Sequence, residues 1–143
     1  MVPPAKTITL PSRFRAAETF ARLERAVIDQ GLWVFAKLDF TADAAEVNLD
    51  LGPTFAILIG NPRMGTQLLL ENQLAALELP LKILVWTNAR GETWIAYDDP
   101  LHISQRHAVD VTGEKAITKM QRVLTRVTQM AAGDIEWSEI ETR

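Results

Sequence analysis

An α+β fold, with one mainly antiparallel sheet and helices packed on one of its faces, is what this chain of 143 residues predicts. Two alternating segments, Leu81 to Thr87 and Glu92 to Asp98, flank Asn88-Ala89-Arg90-Gly91 and read as a β-hairpin with a four-residue loop. Ala16, Phe20, Leu23 and Val27 recur at i, i+4, i+7 and i+11, the stripe of an amphipathic helix. Strand-like and helical segments follow one another without an internal repeat, in the order β-α-β-(α)-β-α-β-β-α-α. Crossovers and antiparallel neighbours therefore coexist, as they do in an α+β layer.

Lys6 to Leu10 alternates as a short strand, and Pro11 with Ser12 ends it and offers an N-cap for the first helix. Gly31 stops that helix. Leu32 to Asp39 reads as a strand with Leu32, Val34, Ala36 and Leu38 on one face and Trp33, Phe35, Lys37 and Asp39 on the other. The second face is half apolar, which predicts cover near Trp33 by a helix or a second subunit. Thr41 to Leu51 looks helical up to Gly52 and Pro53. Thr54 to Ile59 is apolar on both faces and predicts a strand in the middle of the sheet. After a turn at Gly60, Asn61 and Pro62 start a helix that runs through Leu70, and Glu71 to Pro80 is an apolar connection. Asp99 and Pro100 start a short helix through His107. Thr112 precedes a long helix near 113 to 132, which Gly133 ends.

The length suits one domain with one core, here 1–133, followed by an acidic tail, 134–143. With 48% hydrophobic and 23% charged residues the composition is that of a globular protein. No cysteine is present, which removes disulfides, thiolate nucleophiles and the usual zinc frameworks; His102 and His107 do not make a metal site alone, so none is expected. The net charge of −3 is concentrated in Asp134, Glu136, Glu139 and Glu141, leaving a balanced body without the basic footprint of a nucleic-acid binder. No apolar run reaches the ~20 residues of a membrane span. The first ten residues lack the apolar core of a signal peptide, so a cytoplasmic location is expected.

Two constellations carry candidate chemistry. In Gly60-Asn61-Pro62-Arg63-Met64-Gly65-Thr66, Asn61 can cap while Pro62 takes the first helical position. Free amides at that helix start, with Arg63 and the Thr66 hydroxyl, could hold a carboxylate or phosphate. A plain cap with close packing at Gly65 is the structural alternative. The glycines and lysine of the nucleotide-binding motifs are absent, so no cofactor is expected. In the second constellation, Asp98 and Asp99 precede His102, Arg106 and His107, so Asp99 or Asp98 with either histidine is a candidate acid-base pair. A cap followed by a solvated helix face is the alternative there. Trp86 and Trp94 on the hairpin suggest core packing or a pocket wall. Lys115, Lys119, Arg122 and Arg126 form a basic stripe on the last helix, on which the acidic tail could dock in a dimer.

Trp33-Val34-Phe35-Ala36-Lys37-Leu38-Asp39, Gly60-Asn61-Pro62-Arg63-Met64-Gly65-Thr66 and Leu79-Pro80-Leu81-Lys82-Ile83-Leu84-Val85-Trp86 resemble motifs of the bacterial and archaeal "domain of unknown function 302" family. Trp94-Ile95-Ala96-Tyr97-Asp98-Asp99-Pro100 and Arg106-His107 continue the likeness, which spans roughly residues 12 to 130. The resemblance implies a small α+β domain, typically a homodimer and sometimes fused to other modules, and it implies no activity. Members often carry a His after the Asp that ends the second strand, where this chain has Phe40. The matching polar positions Asn61, Arg63, Thr66, Asp98, Asp99 and His107 are the candidate ligand-binding residues.

These readings leave three functions open. The first is a dimeric binding module holding a small anionic or amphipathic ligand between Asn61 and the Asp98 to His107 segment. The second is an enzyme using the Asp/His pair, and the third is a structural protein that meets its partner through Trp33 and Phe35.

Overall fold

The computed structural model describes residues 6–134. Five antiparallel strands, β1 (Thr7–Pro11), β2 (Trp33–Asp39), β3 (Thr54–Gly60), β4 (Leu81–Thr87) and β5 (Thr93–Asp98), form one sheet in the order β1-β5-β4-β3-β2. Five α-helices accompany it: α1 (Ala16–Asp29), α2 (Phe40–Glu46), α3 (Pro62–Glu71), α4 (Leu101–Arg106) and α5 (Val111–Ala132), with a 3-10 helix at Gln73–Glu78. The α+β class and its antiparallel sheet are as the sequence predicts. The apolar strand β3 is an interior strand between β2 and β4, while the middle place itself goes to β4.

Alternation along the strands sends Ile57, Ile59, Ile83, Val85, Ile95 and Tyr97 to one face, where they pack with Leu23 and Val27 of α1 and Ile117, Met120, Leu124 and Val127 of α5. The same spacing seen in the sequence thus forms one core. Arg22 of α1 donates to the carbonyls of Met130 and Ala131, satisfying the C-terminal end of α5. Gly133 then leaves α5 with φ +88°, a left-handed cap that glycine adopts without penalty.

Several local expectations change. Ser12 does not cap α1, whose first flanking residue is Arg15; its hydroxyl accepts from the Phe14 amide and bonds the Thr19 hydroxyl at 2.6 Å. The second helix is shorter than expected, ending at Glu46. In β2 a bulge between Val34 and Ala36 shifts the register by one residue, which moves every later side chain to the opposite face. Lys37 therefore pairs in register with Ile57 on the helix side and reaches Glu24 of α1 at 2.9 Å, whereas Ala36 and Leu38 turn to the other face.

That other face carries Leu58, Leu84, Trp86 and Trp94, all only partly buried, so the hairpin tryptophans stand in register with each other outside the core. At the β2 edge Trp33 and Phe35 remain 58% and 50% exposed, and no described helix supplies the expected cover. The tail beyond Asp134, with the docking expected of it, lies outside the described residues.

Candidate functional site

The sheet opens along its middle. β4 pairs with β3 as far as Leu81, and β5 pairs with β1 as far as Asp98, but the ladder between β4 and β5 stops at Leu84 opposite Ala96. The start of β4 and the end of β5 therefore diverge. A cavity of about 400 Å³ lies there, lined among others by Lys82, Leu84, Ala96 and Asp98 from the two strands, and by Glu78 and His102 from the helices at its mouth.

Glu78 ends the 3-10 helix and has only 10% of its side chain exposed. Its carboxylate collects three partners from α4 and the residue after it. Oε1 meets Arg106 at 2.9 Å and His107 Nε2 at 3.2 Å, and Oε2 meets His102 Nε2 at 3.0 Å. The hydrogen bond from His107 and the charges of Arg106 and His102 hold the Glu78 carboxyl below the usual carboxylate range, against desolvation that pushes it up. Among the described residues no three histidine or acidic side chains converge as metal ligands. Each imidazole is turned onto the carboxylate instead.

His102 is held from both sides. Its Nδ1 lies 2.9 Å from the carbonyl oxygen of Asp99, which can only accept, so Nδ1 donates there and Nε2 faces Glu78. The Asp99 carboxylate is engaged elsewhere, accepting from the Leu101 amide and from Gln121 Nε2 at 2.8 Å. Asp98 Oδ1 accepts from the Thr7 hydroxyl. The acid that partners both histidines is thus Glu78, in the stretch the sequence presents as a mere apolar connection.

A second cavity, of about 260 Å³, adjoins the first across Leu79, Pro80 and Leu81, which line both. Asn61 and Thr66 stand on its wall with Phe35, Met64, Leu69 and Met120. Its lining is almost wholly apolar, and the amides at the start of α3 are not free to serve it. The Asn61 side chain accepts from Arg63 N and Met64 N, its carbonyl accepts from Gly65 N, and Pro62 has no N–H. The cap expected from the sequence thus consumes the donors that an anion would need.

The predicted site residues consequently divide. Asn61 and Thr66 line the smaller cavity, Asp98 and His102 line the larger, and Arg63, Asp99 and His107 line neither. Arg63 is exposed, and His107 is buried behind Glu78.

Comparison with known proteins places this geometry in a family. The family model described as "Domain of unknown function DUF302" matches residues 8–127. The chain belongs to the DUF302 family. A solved structure of similar shape, an uncharacterized conserved DUF302 protein from Bacillus stearothermophilus, has a TM-score of 0.77 at 23% identity, covering 87% of this chain and 97% of that one. That likeness extends to the fold of the DUF302 domain. Curated relatives include the "Fluoride-specific ion channel FluC 1" of Brucella suis biovar 1 and the "Fluoride-specific ion channel FluC 2" of Brucella melitensis biotype 1, each 36% identical over 127 residues. This DUF302 chain spans about half of their length, 50% and 47% respectively. No helix among its described residues is long and apolar enough to cross a membrane.

Proposed function

We propose that this DUF302 domain is a binding module for a small amphipathic ligand, seated in the cleft where β4 and β5 part. What carries the reading is one juxtaposition: the sheet leaves a cavity of about 400 Å³ beside a histidine fixed by a buried carboxylate. Leu77, Leu79 and Leu124 supply apolar wall, while Lys82, Asp98 and His102 supply polar groups at separate points. Small-ligand sites combine these elements, mostly apolar surface with a few placed polar groups in a pocket of at least ~300 Å³. A thermal-shift screen of metabolite acids and amphiphiles tests it. A stabilising compound whose effect falls in His102→Gln and persists in Arg63→Ala supports the cleft. A screen without hits, or hits indifferent to His102, overturns it.

An acid-base enzyme in the same cleft is the second reading, favoured by Glu78 orienting an imidazole on the cavity wall. The residues it would use are Glu78 and His102, in place of the Asp/His pair read from sequence.

We further propose that the exposed edge at β2, where the rings of Trp33 and Phe35 lie 6.0 Å apart, meets a second copy or a partner chain. Large apolar side chains left exposed together mark such surfaces. In the Brucella relatives the domain accounts for about half of proteins named for a fluoride channel. Attachment to another module puts a premium on such a surface.

A further inference from the structure

α1 starts without the kind of cap that closes α3. Its flanking residue, Arg15, offers no side-chain acceptor, and the Ser12 hydroxyl is engaged by Phe14 N and Thr19 Oγ1. The first amide of the helix to find a carbonyl is that of Thr19, which donates to Arg15 O at 2.8 Å. The amides of Ala16, Ala17 and Glu18 have no partner among the described residues, so three donors are left at the positive end of a 14-residue helix.

Ala16 and Ala17 line a cavity of about 380 Å³, which adjoins another of about 330 Å³. Both lie at the hairpin end of the sheet, the end away from the cleft. Thr93 of β5 lines the two cavities together. It shares the alternation of Ile95 and Tyr97, so its side chain points to the helix side of the sheet, and it is only 6% exposed. Its hydroxyl has no hydrogen-bond partner among the described residues. A buried hydroxyl left unpaired is destabilising, and an acceptor seated in the cavity removes that penalty. Arg15 also lines both cavities, without an ionic partner among the described residues. The only acid among the described lining residues is Glu92, whose Oε1 accepts from Asn88 Nδ2 at 2.9 Å. Glu18 contributes an amide, but its side chain lines neither cavity. Pro53 and Phe55 give the larger cavity an apolar wall.

We infer that the start of α1 is a second binding site, for the oxyanion of a small organic acid whose apolar body lies against Pro53 and Phe55. The helix amides, the Thr93 hydroxyl and the Arg15 guanidinium can all donate, so together they recognise a negatively charged group rich in acceptors. A carboxylate and a phosphate ester share that chemistry. The site is separate from the cleft between β4 and β5 and does not depend on it.

The test is titration of the intact ¹⁵N-labelled protein with inorganic phosphate, phenyl phosphate and benzoate, with sodium chloride at matched ionic strength as the reference. Phenyl phosphate or benzoate is expected to move the amide signals of Ala16, Ala17 and Thr93. Phenyl phosphate is expected to bind more tightly than inorganic phosphate, which has no apolar body. Thr93→Val removes an unpaired hydroxyl, so it is expected to fold with an unchanged or higher Tm and to lose about threefold in affinity. Arg15→Asn supplies the missing cap and removes the charge, and it is expected to raise the Tm and to lose about tenfold in affinity. A response to phenyl phosphate alone assigns the site to phosphate esters, a response to benzoate alone assigns it to carboxylates, and either upholds it. Shifts that chloride reproduces, no shift with any of the three anions, or affinities unchanged in both variants overturn it. His102→Gln is expected to leave this binding intact; loss of the α1 shifts in that variant overturns the assignment, while a ligand lost in His102→Gln and kept in Thr93→Val belongs to the cleft.

Discussion

Glu78 Oε2 lies 3.0 Å from His102 Nε2, and this contact joins the end of the 3-10 helix to α4 at the rim of the sheet cleft. The two residues are 24 positions apart in sequence. Because Glu78 also holds Arg106 and His107, one carboxylate fixes the whole helical wall of the cavity.

Removing the charge of Glu78 has a predictable pH signature. Its folded carboxyl is held below its ordinary value, so its contribution to stability is fully present above the ordinary carboxylate pKa of ~4.3 and is lost as pH falls through the folded value. Glu78→Gln is expected to cost roughly 1.5–3 kcal/mol at neutral pH, the scale of hydrogen bonds to a charged group. The difference between wild type and variant should shrink below about pH 4. Urea midpoints between pH 3 and 7 measure this, and a gap that stays constant across that range would count against it.

The three partners of Glu78 should not be equal. His107 has 8% of its side chain exposed and Arg106 has 66%, so solvent screens the Arg106 pair far more. Arg106→Ala is expected to cost under ~1 kcal/mol. His107→Ala leaves a buried carboxylate short of a donor and is expected to cost roughly 1–3 kcal/mol. Denaturant titration of the two variants ranks them, and the reverse order would show that burial does not govern this cluster.

Asn61 should matter as a cap more than as a ligand. Its side chain accepts from two first-turn amides of α3, so Asn61→Ala is expected to cost ~1 kcal/mol, while Asn61→Asp keeps the acceptor and should cost little. Adding sulfate or phosphate should stabilise neither variant through α3. Thermal melts with and without the anions check both points; a phosphate effect abolished by Asn61→Ala would restore the helix start as an anion site.

What the sequence discloses here is what depends on near neighbours. The hairpin after Thr87, the Gly31 stop and the Gly133 cap are legible because turn chemistry is local, although β5 starts at Thr93, one residue later than the sequence suggests. The bulge in β2 was not, since nothing between Val34 and Ala36 signals it, and it alone moved Lys37 across the sheet. Glu78 was hidden by distance: its partners lie 24 to 29 residues on. A faint signal existed, one acid isolated in Leu74-Ala75-Ala76-Leu77-Glu78-Leu79-Pro80. Asn61 and Pro62 signal a cap that the structure contains, but the sequence does not show that this cap uses up the Arg63 and Met64 amides an anion would need. The cleft is a property of register between strands, and no single segment encodes it.

The open face gives a prediction on assembly. Trp33 and Phe35 are half exposed or more and contribute little to the core, so Trp33→Ser with Phe35→Ser should leave thermal stability at low concentration within about 1 kcal/mol. If this face joins two copies, sedimentation of the wild type shows a dimer that the double variant loses. A wild-type monomer, or a dimer indifferent to both changes, directs the search to another surface.

Gly113 in the first turn of α5 supplies the sharpest test of packing. Alanine is favoured over glycine inside a helix by up to ~1 kcal/mol, so an exposed site would gain from Gly113→Ala. Here the added Cβ would collide with Glu71 Oε2 and stand 3.0 Å from Val109 Cβ. Glu71 is not free to retreat, because its Oε1 accepts from the Asp110 amide at 2.8 Å, beside the positive end of a 22-residue helix. The substitution is therefore expected to destabilise by roughly 1–3 kcal/mol, the scale of losing a hydrogen bond to a charged group. In a Glu71→Ala background the obstacle is gone, and the same substitution should cost markedly less or turn favourable, a coupling that a double-mutant cycle in urea reads directly. Strict additivity of the two changes would mean that the carboxylate is not wedged against the helix.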